Sequence, residues 1–298
     1  MTCDDLASAL SCYTEELGFR IDVIFPADAP RVAELSGYGI SVRLESDQKS
    51  PPESDGQWGT GRAGMQYRDL ISGRLGGHLI ASHIRIPKGG PVADYVHHHD
   101  VSFQMIYCYR GWVKVVYEDQ GPPFVMEAGD CVLQPPHIRH RVLESSDHME
   151  VIEVSSPAEH ETHVDHDLDL PTANVHAHRN FNGQRFVFHQ ANSATWLPGP
   201  YDRFESRDTG ITDATNTLAS VQVIRPVGAP PFTVVACDTG IVLIVVLQGE
   251  VTVRRENESQ HTLAAGESFV TRAGTRSTLS DYAGNLEFLQ VALLKGPL

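Results

Sequence analysis

The most constraining feature of the chain is that it repeats itself. Tyr107-Cys108-Tyr109-Arg110-Gly111-Trp112-Val113-Lys114-Val115 aligns with Val245-Val246-Leu247-Gln248-Gly249-Glu250-Val251-Thr252-Val253. Each is an apolar run, a glycine and a second apolar run. Further on, Glu127-Ala128-Gly129-Asp130-Cys131-Val132 aligns with Ala264-Ala265-Gly266-Glu267-Ser268-Phe269. The two glycines of each copy lie at nearly the same separation, Gly111 to Gly129 and Gly249 to Gly266. A long-period duplication of this kind predicts one β unit built twice, not a short-period solenoid. The intervening runs are short, β-rich and separated by Gly, Pro and Asp turns. That spacing predicts antiparallel sandwiches or barrels.

A length of 298 residues suits two such domains without metal or disulfide staples. The balance of 23 Lys+Arg against 38 Asp+Glu gives a net charge of −15, which repels nucleic acid and anionic membrane. No apolar run reaches the roughly 18 residues of a membrane span. The start, Met1-Thr2-Cys3-Asp4-Asp5, lacks a basic and an apolar signal region. The five cysteines are scattered without a Cys-x-x-Cys pair, as expected of free thiols in a reducing compartment. The expectation is a cytoplasmic protein. The acidic residues crowd into 142–178, which holds no Lys or Arg and reads as a solvated connector. His160, His163 and His166 within it read as flexible, solvated imidazoles.

Histidine placement carries the chemistry. Of 15 histidines, only His261 lies beyond residue 190. In the first copy His97-His98-His99 is followed by Gln104 and Gly111. Gly129 is followed by Pro135, His137 and His140. This pattern resembles the cupin superfamily, whose first motif is His-x-His, four residues, Glu, six residues, Gly. Its second motif is Gly, five residues, Pro-x-Gly, two residues, His. His97, His99, Gly111, Gly129, Pro135 and His140 match in register. Gln104 stands where the family has Glu, and His137 where it has Gly. The resemblance implies a mainly β fold of two jelly-roll barrels in tandem.

Residues at i and i+2 on a strand point to one face, so His97 and His99 can share a metal with a His on a facing strand. Three imidazoles suit one divalent transition metal: iron(II) first, with manganese, nickel, copper or zinc as alternatives, and not calcium or magnesium. Gln104 either ligates through its amide oxygen or is a satisfied interior amide. As a ligand it brings no negative charge, which would favour anionic substrates. His98 has outward parity, Ile106 and Cys108 inward parity, and Tyr107 and Tyr109 outward parity. Tyr95, His137 and Arg68 are further catalytic candidates. His137 and Arg68 have ordinary readings as well, as a surface loop residue and a salt-bridge partner. No general base stands out.

In the second copy the ligand positions fall on Val235, Cys237, Val242 and Ser277, so this barrel is expected to hold no metal. The aromatic segment Trp196–Gly210 reads as strand and packing, with ligand binding as the alternative. The N-terminal part reads as a helix over 5–17, ending at Gly18, and strands Phe19–Phe25 and Tyr38–Leu44. The stretch Ala9–Arg20, with the run on to Glu45, looks like the helix-to-strand signature of the vicinal oxygen chelate (glyoxalase-like) superfamily. It covers one half-module, without that family's usual first-strand His, and is expected to be an accessory or dimerisation piece.

The expected organisation is a glyoxalase-like half-module at 1–50, a metal barrel with its connector at 51–170 and a ligand-free barrel at 171–298. The cupin resemblance implies a metal-dependent oxidoreductase, a dioxygenase acting on a small aromatic or diketone-like substrate, in a homodimer. A non-redox isomerase or lyase and a non-catalytic binding protein are the alternatives.

Overall fold

A computed structural model describes residues 1–46, 57–60, 64–228, 232–235, 240–255 and 259–294. Most of the expected linker Gln48–Gly61 and Cys237 lie outside them. The chain divides into two compact units. One holds Met1–Glu127 and Gln134–Asn182, the other Ala128–Leu133 and Gly183–Leu298. Among the described residues, no helix is long and apolar enough to cross a membrane.

The first unit begins with the helix Leu6–Ser11, which runs on as a wider turn over Cys12–Glu16. Its cap is Asp5, whose carboxylate accepts from Ala7 N–H at 3.0 Å. Gly18 ends it in the left-handed region at φ 72°. The strand Arg20–Phe25 pairs with Val32–Gly37, which pairs with Ile40–Ser46. The middle strand was not expected. Its buried residues are Ala33 and Leu35, both fully enclosed, and a single Leu between small residues gives a weak alternation signal. Leu6, Phe19, Ala33, Leu35 and Leu44 form a small core of their own.

This hairpin does not end in solvent. Arg20–Phe25 pairs with Thr162–Val164, which pairs with His97–His99, and the sheet continues through His140–Ser145, Trp112–Tyr117 and Phe124–Glu127. The second sheet of the unit runs Phe103–Arg110, Met149–Ser156, Ile80–Ile86, Gln66–Asp69. Thr162–Val164 corrects the reading of 142–178 as a solvated connector: Thr162 is 2% exposed and His160 6%. Charge density suggested solvent there, yet the backbone completes a sheet.

In the second unit a sheet of Leu197–Pro198, Phe204–Asp208, Ala219–Pro226, Glu287–Leu293, Ile241–Gln248 and Ser268–Arg272 faces another. The latter runs Phe232–Val235, Arg276–Ser280, Glu250–Arg255, His261–Ala264. Phe204, Phe232 and Phe288 pack together inside, with Phe232 stacked on Phe288 at 5.9 Å. Aromatic side chains therefore fill this core. Gly249, at φ 77° in the turn between two apolar strands, would drive a Cβ to 3.0 Å from Asn285.

Candidate metal centre

His97 and His140 sit directly opposite each other on paired strands, with ring centroids 4.2 Å apart. His99 lies two residues along from His97 on the same face, 5.1 Å from its ring and 5.3 Å from His140. One ring nitrogen from each of the three lies within 4.8 Å of the others. Their outer nitrogens are tethered. His97 Nδ1 donates to Tyr95 O at 2.8 Å and His140 Nδ1 to Ile138 O at 3.1 Å. His99 Nδ1 lies 2.9 Å from Thr162 Oγ1. A proton held on Nδ1 leaves the Nε2 lone pair to face inward, as a metal ligand requires. Asp94, with a side chain 1% exposed, places Oδ1 3.7 Å from His97 Nδ1. The residues present therefore fit a transition metal bound by three imidazoles.

Gln104 is 2% exposed and lies beside the triad. Both ends of its amide are engaged. Its Nε2 donates to Glu153 Oε1 at 2.9 Å, and its Oε1 accepts from Gln134 Nε2 at 3.1 Å. Gln134 Nε2 is also 3.2 Å from His140 Nε2, and Gln134 Oε1 accepts from the Tyr117 hydroxyl at 2.9 Å. Ser155 Oγ donates to the same Glu153 oxygen at 2.9 Å.

Sequence reading missed Glu153, Gln134 and Tyr117. For Glu153 a signal existed. Gln104 pairs with Ser155 and Ile106 with Glu153. The inward parity of Gln104 and Ile106 passes to their neighbours across the ladder. Glu153 thus returns a carboxylate to the site that Gln104 lacks, which weakens the expected preference for anions.

These groups line a cavity of about 120 Å³. Ile80, Ile84, Ile106, Val115, Met126 and Val151 make most of its wall, with Asp28, Glu153 and His160 among its polar members. Ala27 and Asp28 come from the N-terminal module. Arg74 donates to Asp28 at 2.5 Å and to Asp69 at 3.1 Å, fixing that loop.

The other expected residues lie elsewhere. Tyr95 lends its carbonyl to His97 and its ring meets the His97 edge at 5.9 Å, outside the cavity lining. Arg68 donates to His83 Nδ1 at 2.9 Å and covers Trp58; His83 in turn meets Glu150 at 2.7 Å. His137 has a side chain 42% exposed and φ 63°, on the surface near Asp100. His98 stacks on His163 at 5.0 Å, and burial pushes its pKa down to about 4. Ile106 lines the cavity, whereas Cys108 is fully buried in the strand wall. His163 and His166 have partly exposed side chains, but His160 is buried.

In the second unit Val242 is buried in the apolar core and Ser277 Oγ shares a 2.9 Å hydrogen bond with Thr271. In the aromatic segment, Arg225 lies 3.8 Å over the Trp196 ring and Leu197–Pro198 pairs with Phe204–Asp208, a packing role. Glu45 accepts from Arg43 at 2.7 Å on the surface.

Residues 82–155 match the family described as Cupin domain, and residues 237–281 the one described as EutQ-like cupin domain. No curated protein matches the chain in sequence. Among solved structures it resembles an oxalate decarboxylase from Lactobacillus farciminis, crystallised with formate. Identity is 14%, covering 84% of this chain and 88% of that one, at a TM-score of 0.55. It resembles protein Ylba from E. coli at 10% identity, over 94% and 96% of the two chains, at 0.55. A salicylate 1,2-dioxygenase from Pseudaminobacter salicylatoxidans aligns at 15% identity, over 76% and 75%, at 0.56.

Proposed function

We propose that this chain, which carries two cupin domains in tandem, is a metal-dependent enzyme acting on a small organic substrate, and that the reaction is an oxygenation. One observation carries the reading. Three histidines with tethered Nδ1 atoms converge at the edge of a cavity whose remaining wall is mostly apolar. His97, His99 and His140 would hold the ion. Gln104 would join them through the amide oxygen that also accepts from Gln134. A bound divalent ion would act as a Lewis acid and, when redox-active, as an electron relay.

The protein's own groups select the substrate. An apolar wall stabilises a hydrocarbon body and offers a fully polar dianion such as oxalate little. Glu153 repels a second negative charge. The volume is of the order of the ~150 Å³ cavity that accepts benzene. A ligand about one ring in size, with one oxygen-rich end toward the histidines, suits this site best. Gln134 and Tyr117 hold the amide of Gln104 in place.

Glu153 favours a second reading. A carboxylate beside the centre can move a proton, as a non-redox lyase or isomerase would need. Elemental analysis of freshly purified protein, with O2 uptake on salicylate and on oxalate, separates the two. Oxygenation predicts stoichiometric metal and O2 consumed with the aromatic acid. Turnover without O2 uptake sinks it, and metal with no turnover of either compound points to a binding protein.

A further inference from the structure

His160 has no part in the three-histidine set, yet it lines the same cavity. It is 6% exposed, and its ring lies 5.3 Å from that of His99, edge to face. Its Nδ1 donates to Pro157 O at 3.1 Å, which places the proton on Nδ1 and leaves a lone pair on Nε2. That Nε2 is buried and has no hydrogen-bond partner among the described residues. A buried acceptor without a donor is costly, and His160 belongs to the cavity lining, so a ligand that supplies the donor best explains it.

The segment carrying His160 is held from outside the barrel. Glu159 accepts two hydrogen bonds from Arg31 of the N-terminal module, at 3.0 and 2.8 Å. Two residues past His160, Thr162 pairs with Ile24 on one side and with His99 on the other. The N-terminal module therefore holds the residue before His160 and the strand after it, besides giving Asp28 to the cavity wall.

We propose that His160 Nε2 is the acceptor that determines specificity, recognising a hydroxyl on a small apolar ligand whose carboxylate or keto oxygen faces the three histidines. Arg31 is its positioning residue, acting through Glu159. The assignment rests on the substrate class proposed above.

Salicylate and benzoate share a ring and a carboxylate and differ in one hydroxyl; that hydroxyl can also reach the ion, so the loss of preference on His160→Phe reads the interaction. Binding of both is measured calorimetrically to cobalt(II)-loaded protein, with cobalt content determined in parallel. Wild type should prefer salicylate by roughly tenfold, the worth of one buried hydrogen bond. His160→Gln keeps an acceptor and should retain part of the preference. His160→Phe keeps a ring and removes the acceptor. It should lose the preference while benzoate affinity and cobalt content stay as in wild type. Arg31→Ala should lower the preference, and Arg31→Lys should recover part of it. A salicylate preference that survives His160→Phe overturns the assignment and leaves the proposed function standing. Wild-type protein that binds cobalt but neither acid overturns both.

Discussion

Gln104 Nε2 donates a 2.9 Å hydrogen bond to Glu153 Oε1, so the amide beside the three histidines is paired with a carboxylate on the neighbouring strand. The carboxylate of this site therefore stands one strand away from position 104. Its consequences can be measured.

Gln104→Glu would set two carboxylates where a 2.9 Å hydrogen bond now stands. Like charges that close raise one another's pKa and weaken the fold, and a cation relieves them. The metal-free variant should melt below wild type, and cobalt(II) affinity should rise roughly tenfold. Competition titration against a chelator reads the affinity. An unchanged value would mean that position 104 takes no part in holding the metal.

Glu153→Gln keeps an acceptor for Gln104 and Ser155 while removing the charge. Its melting temperature should stay close to that of wild type, since an amide oxygen accepts the same bonds. Cobalt(II) affinity should fall several-fold, by loss of attraction across a few ångströms. A variant that binds the ion as tightly as wild type would place Glu153 outside the field of the site.

His97→Ala or His140→Ala removes one of three imidazoles and should abolish stoichiometric metal, read by elemental analysis. Ser277→Ala, at the equivalent position of the second unit, should leave metal content unchanged. It should cost about 1 kcal/mol by orphaning the buried Thr271 hydroxyl. Full metal retention in either histidine variant would remove the centre proposed here.

The bond from Arg31 holds the Glu159 carboxyl below its ordinary value of 4.5. A depressed carboxyl stabilises the fold above its unfolded pKa and loses that stability as pH falls through the lowered value. The side chains are 21% and 36% exposed, so solvent screening keeps the pair to about 1 kcal/mol or less. Arg31→Gln should therefore be less stable than wild type at pH 7, and the gap should close toward pH 3. Urea melts at both values read it, and a gap that persists in acid would assign the loss to packing.

The strands of the repeats were legible because each is a local pattern: an apolar run, a glycine turn, a second run. Trp112–Tyr117 and Ile241–Gln248 are found nearly where the alternation puts them. Val32–Gly37 and Thr162–Val164 were not legible. One buries only Ala33 and Leu35, and the other is three residues long in an acidic stretch. Tyr95 looked like a pocket residue by nearness to His97 in sequence and Arg68 by its charge, and neither signal says where a side chain points.

By itself, the sequence determined that one β unit occurs twice, that only the first carries a His-x-His and a third His in register, and which face His97 and His99 share. Those follow from alternation within a strand, a property of neighbouring residues. Only the tertiary structure decided that Glu153 answers Gln104, that His160 joins the cavity lining, and that the N-terminal module gives Asp28 to its wall and Arg31 to Glu159. Each depends on which strands pair and in what register, and the pairing of Arg20–Phe25 with Thr162–Val164 joins residues far apart in the chain. Hydrophobic periodicity specifies the face of a strand but not its neighbour.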